Sequence, residues 1–316
     1  MKVQHERLGE ILLPDFLLVG AAKGATSSLH FYLDQHPQIR MPAVKESWFF
    51  SFVDHPPSYA SPGGLSGVVS RLEDYAGLFA GADPAQKLGD ASPSYLYTHE
   101  DAIRNIRATY PPERLADLRI IISLREPVSR AFSQYWTFKR YDHEPLSFEE
   151  ATDENIIASR LRDNWNIFYD YTGFGRYYQQ VKAYLDAFGS ERVLVLLYDD
   201  IQRDPAGACQ AIFRFIGVDA DFVPNVRVKY NNMTGEARVK WPVRLLTSRN
   251  PVKRLLAAII PKPLRQAILY GVGKLLLRRG DLRPATRQAL TRAFSTDIEK
   301  LEALIGRDLS HWRGGA

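Results

Sequence analysis

Three short runs of β-branched and large apolar residues, each followed by a tight turn and then a helix-period segment, set what this chain can fold into. The runs are Phe16 to Gly20, Leu118 to Leu124 and Val193 to Tyr198. A strand apolar on both faces must be covered on both faces, and a repeated strand–turn–helix order does so with parallel strands and crossover helices. After the first run, Leu29, Tyr32, Leu33 and His36 recur at helical spacing, which predicts a helix running to His36, before Pro37. After the second, Pro127 is suited to a first helical turn, and Val128, Ala131, Phe132, Tyr135 and Trp136 form one apolar side. After the third, Asp204-Pro205 starts a helix that Gly217 stops. The expected fold class is α/β, a central parallel sheet with helices on both faces. Pro56 to Gly67, with its Pro, Ser and Gly cluster, reads as a loop.

The chain has 316 residues and is 45% hydrophobic, enough for a sizeable core and too apolar for a disordered chain. Cys209 is its only cysteine, which excludes an intramolecular disulfide and a cysteine zinc site and points to a reducing, cytoplasmic setting. No apolar run approaches the roughly 18 residues of a membrane span. The first residues lack a signal-type apolar core, so a soluble protein is expected, at most peripheral at the inner face of a membrane.

The net charge of +5 hides an asymmetry. Between Arg238 and Arg292 there are 14 Lys or Arg and a single acid, Asp281, a net +13 that leaves −8 for the remainder. The composition suggests one domain over 1–316, with an α/β core at 14–220 and a basic helical region at 221–316. Basic and apolar residues interleave along 238–292, as on helices packed against a core or lying on an anionic membrane. No nucleic-acid-binding fold is recognisable, so no nucleic-acid partner is expected.

The loop Gly20-Ala21-Ala22-Lys23-Gly24-Ala25-Thr26-Ser27-Ser28 joins the first strand to the first helix. Small residues there let backbone N–H groups approach an anion, the helix start adds partial positive charge, and Lys23 adds a full one. The order is not that of a Walker A loop, whose lysine follows the glycine at the helix start. A P-loop kinase is therefore the weaker reading. A basic membrane-surface binding protein is another.

This strand and loop, then a helix ending in His-Pro, then Lys45-Glu46-Ser47-Trp48-Phe49-Phe50, resemble the sulfotransferases that use 3′-phosphoadenosine 5′-phosphosulfate (PAPS). The resemblance implies a P-loop NTPase-like sulfotransferase fold and places Lys23, Gly24, Ala25, Thr26, Ser27 and Ser28 at the 5′-phosphosulfate. Ala25 stands where the family usually has glycine, with Gly24 expected to restore the lost backbone freedom. The family's second signature, an arginine at a strand end and a serine eight residues on that grip the 3′-phosphate, is matched by Arg125 and Ser133. Further similarity runs through Glu144 to Ala151, Gly175 to Tyr178 and Ile298 to Arg307, closest to the bacterial and glycan-modifying branches.

By the same resemblance, the reaction is a metal-independent in-line sulfuryl transfer to an acceptor hydroxyl, with Lys23 stabilising the leaving phosphate and Glu46 as general base. Phe49 and Phe50 are expected to form a partly dry wall beside Glu46. His55 and His99 are weaker candidates for the base. Glu46 could equally pair with Lys45 as a surface ion pair. A family lysine is replaced by Ala91, and the neighbouring Asp90 is a substrate-contact candidate or a buried capping residue. Trp48, Trp136, Lys139, Arg140, His143 and Trp165 are the other acceptor-side candidates, and Tyr230, Arg278 and Arg279 the candidates for a C-terminal nucleotide clamp. The expected acceptor is a carbohydrate or glycolipid, with a small alcohol or phenol as the alternative.

Overall fold

The structure, a computed structural model, describes residues 1–5, 8–65, 67–227, 236–237, 277–278 and 280–314. An N-terminal hairpin pairs β1 (Lys2–His5) with β2 (Gly9–Leu12). The main sheet is built from β3 (Phe16–Gly20), β4 (Ile39–Arg40), β5 (Lys87–Ala91), β6 (Arg119–Leu124) and β7 (Val193–Leu197). Its spatial order is β4-β5-β3-β6-β7 and every pairing is parallel.

All five residues of β3 are buried, as a central strand with two covered faces requires. Alternation then divides them between two cores. Leu17 and Val19 join Ile120, Ile122, Tyr177, Phe294 and Trp312 on one face, while Phe16 and Leu18 join Leu29, Leu33, Ile121 and Ile212 on the other.

The first helix, Thr26–Leu33, stops one turn short of the expected end because the chain turns at Asp34. His36 is buried and holds that turn, its Nε2 donating to the Asp219 carbonyl (2.9 Å) while Nδ1 accepts from Gln38 N (3.0 Å). Helix Pro127–Arg140 starts at its proline, with the Glu126 carboxylate accepting from Val128 N (2.7 Å) and Ser129 N (2.8 Å) as N-cap. A short helix, Tyr198–Arg203, intervenes before the expected one at Pro205–Ile216, which ends on a left-handed Gly217.

The chain leaves β3 toward β4 and β5 and later crosses to β6 on the other side of β3. The carboxyl ends of β3 and β6 thus flank the point where the winding reverses, where open parallel sheets bind ligands. Helix Pro284–Ile305 packs against helix Tyr177–Phe188. Tyr230, Arg279 and the residues 238–276 lie outside the described residues, and of Arg278 only the backbone is described, in a strand pair with Glu236.

Candidate functional site

At that reversal a cleft of about 570 Å³ opens over the carboxyl ends of β3 and β6. A register shift in β3 between Leu18 and Gly20 lets β6 run on past its partner. The loop after β3 is then stitched to the end of β6. Ala21 N donates to the Ser123 carbonyl (2.6 Å), the Ser123 hydroxyl donates to the Gly24 carbonyl, and Arg125 Nη1 donates to the Lys23 carbonyl (3.3 Å). A Cβ on Gly24 would run into the Ser123 carbonyl oxygen, so this position requires glycine for space.

The expectation about backbone freedom is corrected here. Gly24 is not at positive φ, and Ala25 itself takes the left-handed conformation (φ 74°), as does Lys23 (φ 70°). Glu46 and Trp48 do so as well (φ 62° each). Four of the seven non-glycine residues at positive φ among the described residues thus line this one cleft. Backbone strain of this kind concentrates where function holds it.

Lys23 is half-buried, and its Nζ donates to Thr137 Oγ1 (3.1 Å). Burial pushes its ammonium down to about 8; Glu46 opposes this, and Arg125 adds to it. No side chain caps the helix that begins at Thr26, which leaves its first amides for a ligand. The Thr26, Ser27 and Ser28 hydroxyls line the same wall. Across from them stand Arg125, whose guanidinium lies 4.4 Å over the Tyr198 ring, and Ser133, two turns into helix Pro127–Arg140. Two cations, four hydroxyls and an uncapped helix start suit two separate phosphate-type groups, and the cleft has room for a nucleotide.

Glu46 lies on the cleft and forms the ion pair with Lys45 that was its other reading. Trp48 and His143 also line it. Several other expectations are corrected. Phe49 and Phe50 are fully buried in the core, with Phe49 stacked on Tyr75 at 4.2 Å, and the dry wall is built instead by Trp48 and Phe168, whose rings are 5.3 Å apart. Asp90 is completely buried below the cleft and accepts from Ser47 Oγ (3.0 Å), Tyr75 OH (3.2 Å) and Tyr95 OH (2.8 Å), so it cannot touch a substrate. Burial raises its carboxyl above the usual range.

Trp136 does not line the cleft; it packs edge-on against Phe132 (5.9 Å) and Tyr135 (5.4 Å). The Lys139 ammonium donates to the Leu146 (3.1 Å) and Pro145 (3.3 Å) carbonyls, and Trp165 carries the Arg160 guanidinium on its ring at 4.6 Å. Neither lines the cleft, nor does Arg140, His55 or His99. Sequence reasoning missed Thr137 and Tyr198. Thr137 was within reach, since it stands one helical turn beyond Ser133 and donates to that residue's carbonyl (3.0 Å).

A strand-loop-helix anion cradle and an arginine–serine pair at the reversal of a parallel sheet define a protein that binds phosphorylated nucleotides. The sulfotransferase domain model matches residues 13–237, and the chain belongs to the PAPS-dependent sulfotransferase family. It is similar along 96% of its length, and along all of the other chain, to the crystal structure of a sulfotransferase from Alicyclobacillus acidocaldarius, at 32% identity and a TM-score of 0.74. It is 32% identical over 49% of its length to the membrane-associated sulfotransferase kil1 of Dictyostelium discoideum. It is 26% identical over 66% of its length to the mouse heparan sulfate glucosamine 3-O-sulfotransferase 3B1. The matched parts make up 31% and 47% of those two relatives, so the chain spans half or less of each.

Proposed function

We propose that this chain transfers a sulfuryl group from PAPS to a hydroxyl of a carbohydrate or glycolipid acceptor. The observation that carries this reading is the joining of the two anion-binding elements: Arg125 of one loop donates to the Lys23 carbonyl of the other (3.3 Å), at the winding reversal of the sheet. The residues fit the donor. Lys23, the first amides of helix Thr26–Leu33 and the hydroxyls of Thr26, Ser27 and Ser28 would hold its 5′-phosphosulfate, and Arg125 with Ser133 its 3′-phosphate. Bound there, PAPS supplies an activated sulfuryl group.

Lys23 is the group that neutralises charge on the leaving phosphate oxygen, because its partly buried ammonium is held on the cleft wall by Thr137. Glu46 takes the acceptor's proton, with Lys45 fixing the direction of the carboxylate. Support for a sugar acceptor comes from the heparan sulfate sulfotransferase relative and from the aromatic cleft wall. In the same reading Tyr230, Arg278 and Arg279 clamp the nucleotide. Glu46→Gln tests the chemistry. Turnover should drop by about 10²- to 10⁴-fold while PAP, the desulfated product, binds as before. Full turnover by that variant would remove Glu46 from the role.

A further inference from the structure

The cleft is electrically divided. Among the described residues that line it, the charged ones are Lys23, Lys45, Glu46 and Arg125. Lys23 and Arg125 belong to the donor half, and Lys45 is paired with Glu46. Part of the remaining wall comes from loop 61–65, His143 and residues 166–168, which are joined to one another, and Gln134, Thr137, Tyr198 and Gln202 add uncharged polar groups elsewhere on it. Loop 61–65 is tied down by Asn166, whose Nδ2 donates to the Gly63 carbonyl (3.3 Å) and whose backbone N donates to Ser61 Oγ (3.0 Å). Asn166 Oδ1 is engaged by Phe168 N (3.0 Å), so this amide serves the wall itself. The faces turned to the cleft are Trp48, Leu65, Phe138 and Phe168, with His143 among them.

The backbone of His143 is fixed from both sides. Its N donates to the Phe138 carbonyl (3.0 Å), and its carbonyl accepts from Tyr169 OH (3.0 Å). A Cβ on Gly63 would collide with the His143 ring, so ring and loop are in close contact. Burial lowers the pKa of this imidazole, with Asp142 opposing, which leaves it neutral at pH 7. It offers one donor and one acceptor to a hydroxyl and no charge. A carboxylate or sulfate placed against these described faces loses its hydration without gaining a cation from them, whereas the CH face of a sugar or an alkyl chain gains contact with the rings.

Building on the sulfotransferase reading, we infer that the acceptor is an uncharged hydroxyl compound with an apolar face, such as a neutral glycoside, and that His143 reads its hydroxyls. A polyanionic glycan is not the preferred acceptor. The test begins with PAP binding to the full chain by calorimetry. Labelled PAPS is then supplied with a matched pair of acceptors, octyl glucoside and octyl glucuronide, beside an N-sulfated heparan hexasaccharide. Expected is a kcat/KM for the glucoside at least 10-fold above either charged acceptor. Leu65→Lys, which places a cation on the wall, should shift the glucoside-to-glucuronide ratio at least 10-fold toward the glucuronide. His143→Ala should lower kcat/KM for the glucoside about 10-fold. If PAP binds but the glucoside is not labelled in preference to the charged acceptors, or if Leu65→Lys leaves the ratio unmoved, the inference falls. If PAP does not bind, the sulfotransferase reading itself has failed.

Discussion

Lys23 works against the fold in order to serve the site. Its ammonium is held near 8 against an ordinary 10.5, chiefly by burial and secondarily by Arg125, with Glu46 opposing. The unfolded chain therefore binds this proton more tightly than the folded one. The penalty is fully present below about pH 8 and is relieved as pH rises toward 10.5. Lys23→Met should accordingly stabilise the protein at pH 7 by about 1–3 kcal/mol in chemical denaturation. It should also abolish PAP binding. In the unaltered protein, PAP affinity should weaken as pH rises through about 8 and Lys23 loses its proton. Ala25 is a second strained position, left-handed at φ 74° without being glycine. The left-handed conformation costs an alanine about 1–2 kcal/mol, and glycine's greater chain entropy takes back about half of that, so Ala25→Gly should raise stability by up to ~1 kcal/mol. Lys23 was legible from the small-residue loop that carries it, Arg125 and Ser133 from the family resemblance, and all three line the cleft. Asp90 was open to two readings, substrate contact or buried residue, and only the packing of Tyr75 and Tyr95 around it decides for the buried one.

At the scale of elements, the three strands made of continuous apolar runs were readable from the sequence, and β5 was not. Lys87-Leu88-Gly89-Asp90-Ala91 contains a glycine and a buried acid where a strand usually carries branched residues. Its glycine is explained by packing, since a Cβ on Gly89 would strike the Phe16 ring. The proposed acceptor wall was equally hidden, because residues 61–65, 143 and 166–168 are far apart in sequence and are joined by hydrogen bonds between loops. One element beneath that wall is open to a direct test. Arg160 donates from both Nη atoms to the Glu144 carboxylate (2.8 Å each), Tyr171 OH donates to the same carboxylate (2.8 Å), and the group is buried. Arg160→Met leaves Glu144 as an uncompensated buried charge next to His143. This should cost about 3–5 kcal/mol, read as a lower denaturation midpoint. PAP affinity should remain within about twofold, because the pair lies outside the donor half of the cleft.

For the whole molecule, the strand order decides where the chemistry sits. With β3 and β6 adjacent and the chain winding outward from them in opposite directions, two loops distant in sequence open into one crevice, and each brings its own cation. Charge is divided unevenly along the chain, with +13 between Arg238 and Arg292 and −8 over the remainder. Among the described residues no helix is long and apolar enough to cross a membrane. The most direct measurement is calorimetric titration of PAP into the full chain without added metal, repeated with Arg125→Ala. The account predicts saturable one-to-one binding, weakened by the substitution by about 2–4 kcal/mol, or roughly 30- to 1,000-fold in Kd. PAP binding that is absent, or that Arg125→Ala leaves unchanged, would contradict it.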